Sequence, residues 1–134
     1  MKIVPVGISD EMTVTTTPEM AATHVATPVY STPDMLRHVE GVCLGMLVPY
    51  LEEGENTVGY RADIRHLAPT PIGQKVTFRA KLIESEGRRF VFQVEAHNEA
   101  RVKKKRRDRK STRLSSSHGY ISYAVFCLDR KSVV

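Results

Sequence analysis

Residues 31–48 read STPDMLRHVEGVCLGMLV and predict one amphipathic helix. Thr32 before Pro33 is a start signal, because a threonine hydroxyl can cap a first-turn amide and proline has no amide hydrogen to leave unpaired. At about 100° per residue, one sector of this helix is apolar and Glu40 falls near its middle. The sector comprises Leu36, Val39, Cys43, Leu44, Leu47 and Tyr50.

Glu40 is the anomaly of this helix. A carboxylate in an apolar interface must gain partners, bind a proton or face a wet pocket, because losing its hydration costs several kcal/mol. A functional role is one interpretation. The other is that the apolar stripe is broad and Glu40 reaches out from its edge.

The length and composition are those of one globular domain. At 134 residues the chain is long enough to bury a core without disulfide or metal staples. No apolar run approaches the roughly 18 to 20 residues of a membrane span, and the N-terminal residues do not resemble a signal peptide. Cys43 and Cys127 suggest no disulfide framework, and no Cys/His cluster has metal-ligand spacing. We expect a soluble cytoplasmic protein with no membrane partner and no metal.

The charge is concentrated in one segment. The whole chain has a net charge of +5, but residues 101–113 contain nine basic side chains and one acidic one, Asp108. The rest of the chain is therefore mildly acidic, and the basic run stands apart from it.

Strand patterns surround the helix. A β-branched, alternating segment covers residues 12–17, and three more strand-like segments follow the helix. In the first of them, residues 57–66, one face is expected to hold Val58, Tyr60, Ala62, Ile64 and His66. The next two are predicted to form a hairpin around residues 84–87, with alternating apolar side chains from Val76 to Leu82 and from Phe90 to Ala96.

One long helix followed by successive antiparallel strands predicts an α+β fold, a curved sheet packed on a central helix. A single helix covers only part of the apolar face of such a sheet. Dimerisation is a natural way to complete the burial.

Several motifs in order resemble the hotdog-fold thioesterases related to fluoroacetyl-CoA thioesterase. The resemblance covers about residues 10–99, and its motifs are Tyr30-Ser31-Thr32, Glu40, residues 49–55, Val58-Gly59, Arg65-His66, residues 68–73 and residues 86–89. It implies a hotdog fold, a homodimer and an acyl-CoA bound at the dimer interface. It also implies a thioester hydrolase without a cofactor, CoA being part of the substrate.

The resemblance assigns roles to four residues. It implies that Thr32, Glu40 and His66 are catalytic and that Gly59 belongs to the acyl pocket. Glu40 would attack the carbonyl or activate water, His66 would handle the proton, and Thr32 would orient the carboxylate. Taken singly, Thr32 can be a helix cap, His66 a partly buried histidine, and Gly59 the mark of a bulge or tight strand crossing.

Two departures from that family affect the prediction. The segment between Met20 and Tyr30 is shorter than the corresponding lid-forming region, so a general short or medium acyl-CoA is expected rather than fluoroacetyl-CoA. Residues 101–134 resemble a translated sequencing-adaptor sequence. We therefore predict a hotdog domain over residues 1–100, followed by a basic, non-native or disordered tail, with the last strand of the sheet missing.

Three other interpretations remain open. The domain can be a non-catalytic acyl-CoA binder, or a hydratase-like relative, although the Asp/His signature of the hydratases is not found. The third takes the tail as a basic linker that binds nucleic acid, followed by a strand from Tyr120 to Leu128. The basic run has no interleaved aromatic side chains for base stacking, so nucleic acid is not the expected partner.

Overall fold

In the part of the chain that the structure describes, one long helix packs against one face of a five-stranded antiparallel sheet. The structure is a computed structural model and describes residues 3–22, 27–99 and 121–132. The strands are β1 (Ser9–Thr15), β2 (Glu55–His66), β3 (Lys75–Glu86), β4 (Arg89–Asn98) and β5 (Ser122–Ser132), and the helix is α1 (Thr32–Leu47). Short 3-10 turns cover Pro18–Met20 and Val48–Tyr50, as Pro18 and Pro49 favour.

The strand order is β1-β3-β4-β5-β2, which leaves β1 and β2 at the two edges of the sheet. Helix α1 contacts β1, β2, β3 and β5. The predicted alternation of β3 and β4 is confirmed, because the alternate residues of both strands are buried: Val76, Phe78, Ala80 and Leu82 of β3, and Phe90, Phe92, Val94 and Ala96 of β4. The α+β prediction is therefore confirmed.

The buried face of α1 is rotated from the predicted sector. Met35, Val42 and Met46 are buried along with Val39, Cys43 and Leu47, whereas Leu36 and Leu44 are only half-buried. Glu40 is half-buried at the edge of this face, so the prediction that it lies near the middle of the apolar sector is wrong. Methionine at positions 35 and 46 shifts the buried face, since its flexible thioether side chain fills a core as readily as leucine.

The fifth strand comes from the segment that the sequence assigned to a tail. β5 lies between β4 and β2 and pairs antiparallel with both. The predictions of a missing last strand and of disorder throughout residues 101–134 are therefore wrong for residues 122–132. Alternation explains the strand, because Ala124, Phe126 and Leu128 are buried on the helix side of the sheet. The alternative prediction of a strand from Tyr120 to Leu128 is confirmed for residues 122–128. The basic run lies outside the described residues, and the non-native origin of residues 101–134 stays a prediction.

Candidate active site

Thr32 and His66 meet where the start of α1 faces the end of β2. Thr32 Oγ1 and His66 Nδ1 are hydrogen-bonded at 2.9 Å. The residue that caps the helix is Ser31, whose Oγ accepts a bond of 3.3 Å from the Asp34 amide. The predicted capping role of Thr32 is therefore wrong. Within one chain its hydroxyl bonds the imidazole of His66, and its predicted role in orienting Glu40 stays a prediction. Because Ser31 caps α1, the Thr32 hydroxyl is available to the imidazole.

His66 is held in a form suited to proton transfer. It pairs across the sheet with the buried Ser122, which places it on the helix side of β2, as predicted. Burial lowers the pKa of His66, and the nearby backbone of Ala68 acts in the opposite direction. Its Nε2 atom is buried and has no hydrogen-bond partner among the described residues. A neutral imidazole with one free nitrogen can accept or deliver a proton.

A bulge in β2 places Gly59 against Glu40. Gly59 pairs with Leu128 and Arg61 pairs with Cys127, so Tyr60 is an extra residue in the strand. Cross-strand partners share a face of the sheet, so Gly59 lies on the helix side with Leu128. The predicted common face for Val58, Tyr60 and His66 is wrong, because strict alternation does not survive a bulge.

The contact at Gly59 explains why this position carries no side chain. A Cβ atom added there would lie 2.9 Å from Phe126 Cζ and 3.2 Å from Glu40 Oε2. The first distance is shorter than real Cβ contacts, so any larger residue would have to displace the ring or the carboxylate. Because position 59 has no side chain, the Phe126 ring edge and the Glu40 carboxylate pack close to the strand backbone.

Glu40 affects the pKa of Cys43, its neighbour on the helix. Burial raises the pKa of the Cys43 thiol, and the carboxylate of Glu40, three residues earlier, raises it further. Cys43 is fully buried. It is therefore an inert core thiol and not a nucleophile.

The Thr32–His66 pair and the Glu40–Gly59 pair lie far apart within one chain. Thr32 and Glu40 are eight residues apart on α1, a rise of about 12 Å. Gly59 and His66 are separated by about 20 Å of strand. One protomer therefore has the imidazole at one end of the α1–β2 contact and the carboxylate at the other.

Sequence reasoning placed Leu36 and Leu44 beside Glu40 but did not predict that Phe126 lies against Gly59. Leu36 and Leu44, one turn before and one turn after Glu40, are half-buried beside it. Phe126 belongs to the segment that was assigned to the tail. The alternation of Ala124, Phe126 and Leu128 was the available signal, since it predicts one buried face.

Within the described ranges, no group of three or more His, Cys, Asp or Glu side chains is placed to hold a metal ion. No helix in those ranges is long and apolar enough to cross a membrane.

Comparisons with known proteins agree on one class of protein. A Thermus thermophilus hypothetical protein, a thioesterase superfamily member, has a solved structure that superposes with a TM-score of 0.80 at 27% identity, covering 98% of this chain and 87% of that one. A mutant of the fluoroacetyl-CoA-specific thioesterase FlK, in complex with fluoroacetate and CoA, superposes with a TM-score of 0.78 at 24% identity, covering 97% of each chain. The fold is that of the hotdog thioesterases, as the resemblance predicted.

The family follows from the sequence match. The family model described as FlK, fluoroacetyl-CoA-specific thioesterase, matches residues 8–104, so this chain belongs to that family. The fluoroacetyl-CoA thioesterase of Streptantibioticus cattleyicolor is 40% identical over 70 residues, which are 52% of this chain and 50% of that protein. The match therefore spans about half the length of this curated relative.

Proposed function

We propose that this protein hydrolyses a short or medium acyl-CoA thioester to the free acid and CoA. Glu40 is the nucleophile or general base, His66 and Thr32 assist it, and Gly59 makes room for the acyl group. The observation that carries the proposal is the pairing of each predicted site residue with another one, Thr32 with His66 and Glu40 with Gly59. Membership of a thioesterase family supports the reaction type.

The chemistry needs an oxygen nucleophile and a proton carrier. As a nucleophile, Glu40 attacks the thioester carbon to form a mixed anhydride, the CoA thiolate leaves, and water then hydrolyses the anhydride. As a base, it takes a proton from the attacking water while the thiolate leaves. In either route a neutral His66 can pass a proton through Nε2, with Nδ1 held by Thr32.

A homodimer is part of the proposal because one chain does not unite the two pairs. Strand β2 is an edge strand, and most of its residues are exposed, including Val58 at 41% and Tyr60 at 48%. An antiparallel β2–β2 pairing centred on Asp63, in which the bulged Tyr60 has no partner, sets Gly59 opposite the partner's His66. Such a pairing brings Glu40 of one protomer beside the imidazole of the other and continues the sheet across the interface.

Thiol release from acyl-CoAs of increasing chain length tests the activity, and a mixing experiment tests the shared site. The Glu40→Gln and His66→Ala homodimers are each expected to be inactive. After subunit exchange, half of the dimers are mixed, and each mixed dimer has one site with both native residues. Activity should therefore recover to about one quarter of the wild-type value.

Each result has a distinct meaning. No recovery in a preparation whose mixed dimers are verified by mass spectrometry would contradict the shared site while leaving the hydrolase intact. Failure of the wild-type dimer to release thiol from any acyl-CoA would contradict the hydrolase itself. Tight acyl-CoA binding without release would then favour the non-catalytic binder.

A further inference from the structure

We propose that Thr70 and Asn98 are positioning residues that hold the imidazole of His66 against the hydroxyl of Thr32. The inference rests on the proposed function, because it concerns the geometry of the same site. Thr70 is fully buried and Asn98 is 3% exposed. The side-chain amide of Asn98 donates a hydrogen bond of 3.1 Å to Thr70 Oγ1, so the two polar side chains form a pair inside the core.

The backbone of Thr70 joins the two segments that carry Thr32 and His66. Its carbonyl accepts a hydrogen bond of 2.9 Å from the amide of Tyr30, which precedes Thr32 by two residues. Thr70 itself follows His66 by four residues. The same two segments are therefore bonded twice, once through the backbones at Tyr30 and Thr70 and once through the side chains of Thr32 and His66. A shift of Thr70 changes the separation of the hydroxyl from the imidazole.

The chain between His66 and Thr70 is stiff. Pro69 and Pro71 flank Thr70, and each proline fixes its own φ and restricts the residue before it to extended conformations. Pro71 also forms a β-bridge with Val29, one residue before Tyr30. The loop therefore has little freedom to absorb a displacement at position 70, and the displacement passes along the chain to the imidazole.

Asn98 connects this loop to the sheet. It lies in β4, where it pairs with Val76 of β3, so the hydrogen bond to Thr70 starts from a paired strand. A hydrogen bond depends on direction as well as distance, and it fixes the orientation of Thr70 more narrowly than an apolar contact would. Replacing both partners of a buried hydrogen bond by apolar groups of the same shape can be nearly neutral for stability. The specific contribution of this pair is therefore orientation.

Removing the Thr70 hydroxyl should disturb the catalytic pair without removing a catalytic group. For the acyl-CoA that wild type hydrolyses fastest, we expect Thr70→Val to lower kcat about tenfold and to leave KM within about twofold, since a misplaced proton carrier slows the reaction more than it weakens binding. Burial lowers the pKa of His66, so a loosened and better hydrated imidazole should titrate by NMR nearer the ordinary value of about 6.5. Thr70→Ser retains the hydroxyl and should restore both kcat and the His66 pKa.

Thr16→Val is the matched control, because Thr16 is 2% exposed and its hydroxyl bonds the far end of the same loop. Thr16 Oγ1 donates to the carbonyl of Gln74 at 2.8 Å and accepts from the amide of Gly73 at 2.9 Å. These bonds do not reach the segments of the catalytic pair. The control should lower the melting temperature as Thr70→Val does, but kcat and the pKa of His66 should stay at their wild-type values.

Asn98→Ala repeats the test from the donor's side. Wild-type values of kcat and of the His66 pKa in Thr70→Val or Asn98→Ala, or equal changes in Thr16→Val, would overturn the inference while the hydrolase stands. Failure of both variants to fold, when Thr16→Val folds, would assign Thr70 and Asn98 a purely structural role and would also overturn it. If wild type hydrolyses no acyl-CoA, the proposed function fails, and the His66 titration still decides whether the two residues hold the imidazole.

Discussion

The two ends of the α1–β2 contact differ in how their functional groups are held. At one end, Thr32 and His66 are joined by a directional hydrogen bond of 2.9 Å. At the other end, Glu40 faces Gly59 through van der Waals contact, and the position of its carboxylate depends on the absence of a side chain. A hydrogen bond fixes the groups at the first end, and close packing fixes them at the second. Substitutions at the first end should therefore lower the rate, whereas substitutions at Gly59 should lower both rate and stability.

The largest effect is expected at the carboxylate. Glu40→Gln should lower kcat by at least about 10³-fold, because an amide is neither a nucleophile nor a base, while the similar shape preserves the fold. Thiol release measures the rate, and circular dichroism checks the fold. Turnover near the wild-type rate would remove Glu40 from the mechanism.

The imidazole should contribute less. His66→Ala is expected to lower kcat by about 10²-fold and to change KM far less, since proton transfer matters in the transition state more than in substrate binding. Steady-state kinetics separate the two parameters. Loss confined to KM, or equal loss in both, would assign His66 a positional role.

Adding a side chain at Gly59 should lower both the rate and the stability. Gly59→Ala places a Cβ 2.9 Å from the Phe126 ring, so the ring or the strand must shift. We expect roughly tenfold lower kcat/KM and about 1 to 3 kcal/mol lower stability, as for an overpacked core. Gly41→Ala is the control, because a Cβ at that helical position meets open space. An active, fully stable Gly59→Ala protein would contradict the spatial account.

The smallest expected effect is the pH dependence that His66 gives to kcat/KM and to stability. Burial lowers the pKa of His66, so the acid limb of kcat/KM should lie below the ordinary histidine value of about 6.5. The contribution of His66 to the free energy of unfolding should be fully present above that pH. It should decline as the pH falls through and below that value, because the unfolded chain then binds more protons than the folded one. His66→Gln should weaken both dependences. An acid limb at or above pH 6.5 would indicate that the imidazole is solvated.

Local sequence patterns predicted the bounds and buried faces of some elements correctly and those of others wrongly, for physical reasons. The helix bounds and the buried faces of β3 and β4 followed from periodicity, because burial on one face imposes a period on the sequence. The faces of Val58 and Tyr60 did not follow, because one extra residue in β2 reverses the alternation. Thr32 was assigned a cap because the sequence does not tell which of two adjacent hydroxyls closes the helix.

The sequence alone determined a long helix carrying Glu40, a strand that ends at His66 and a glycine at position 59 of that strand. Only the tertiary structure decided which groups meet: Thr32 with His66, and Gly59 with Glu40 and Phe126. The physical reason is that residue type and period are local properties of a chain. A contact between a helix and a bulged strand depends on registers set by the whole sheet.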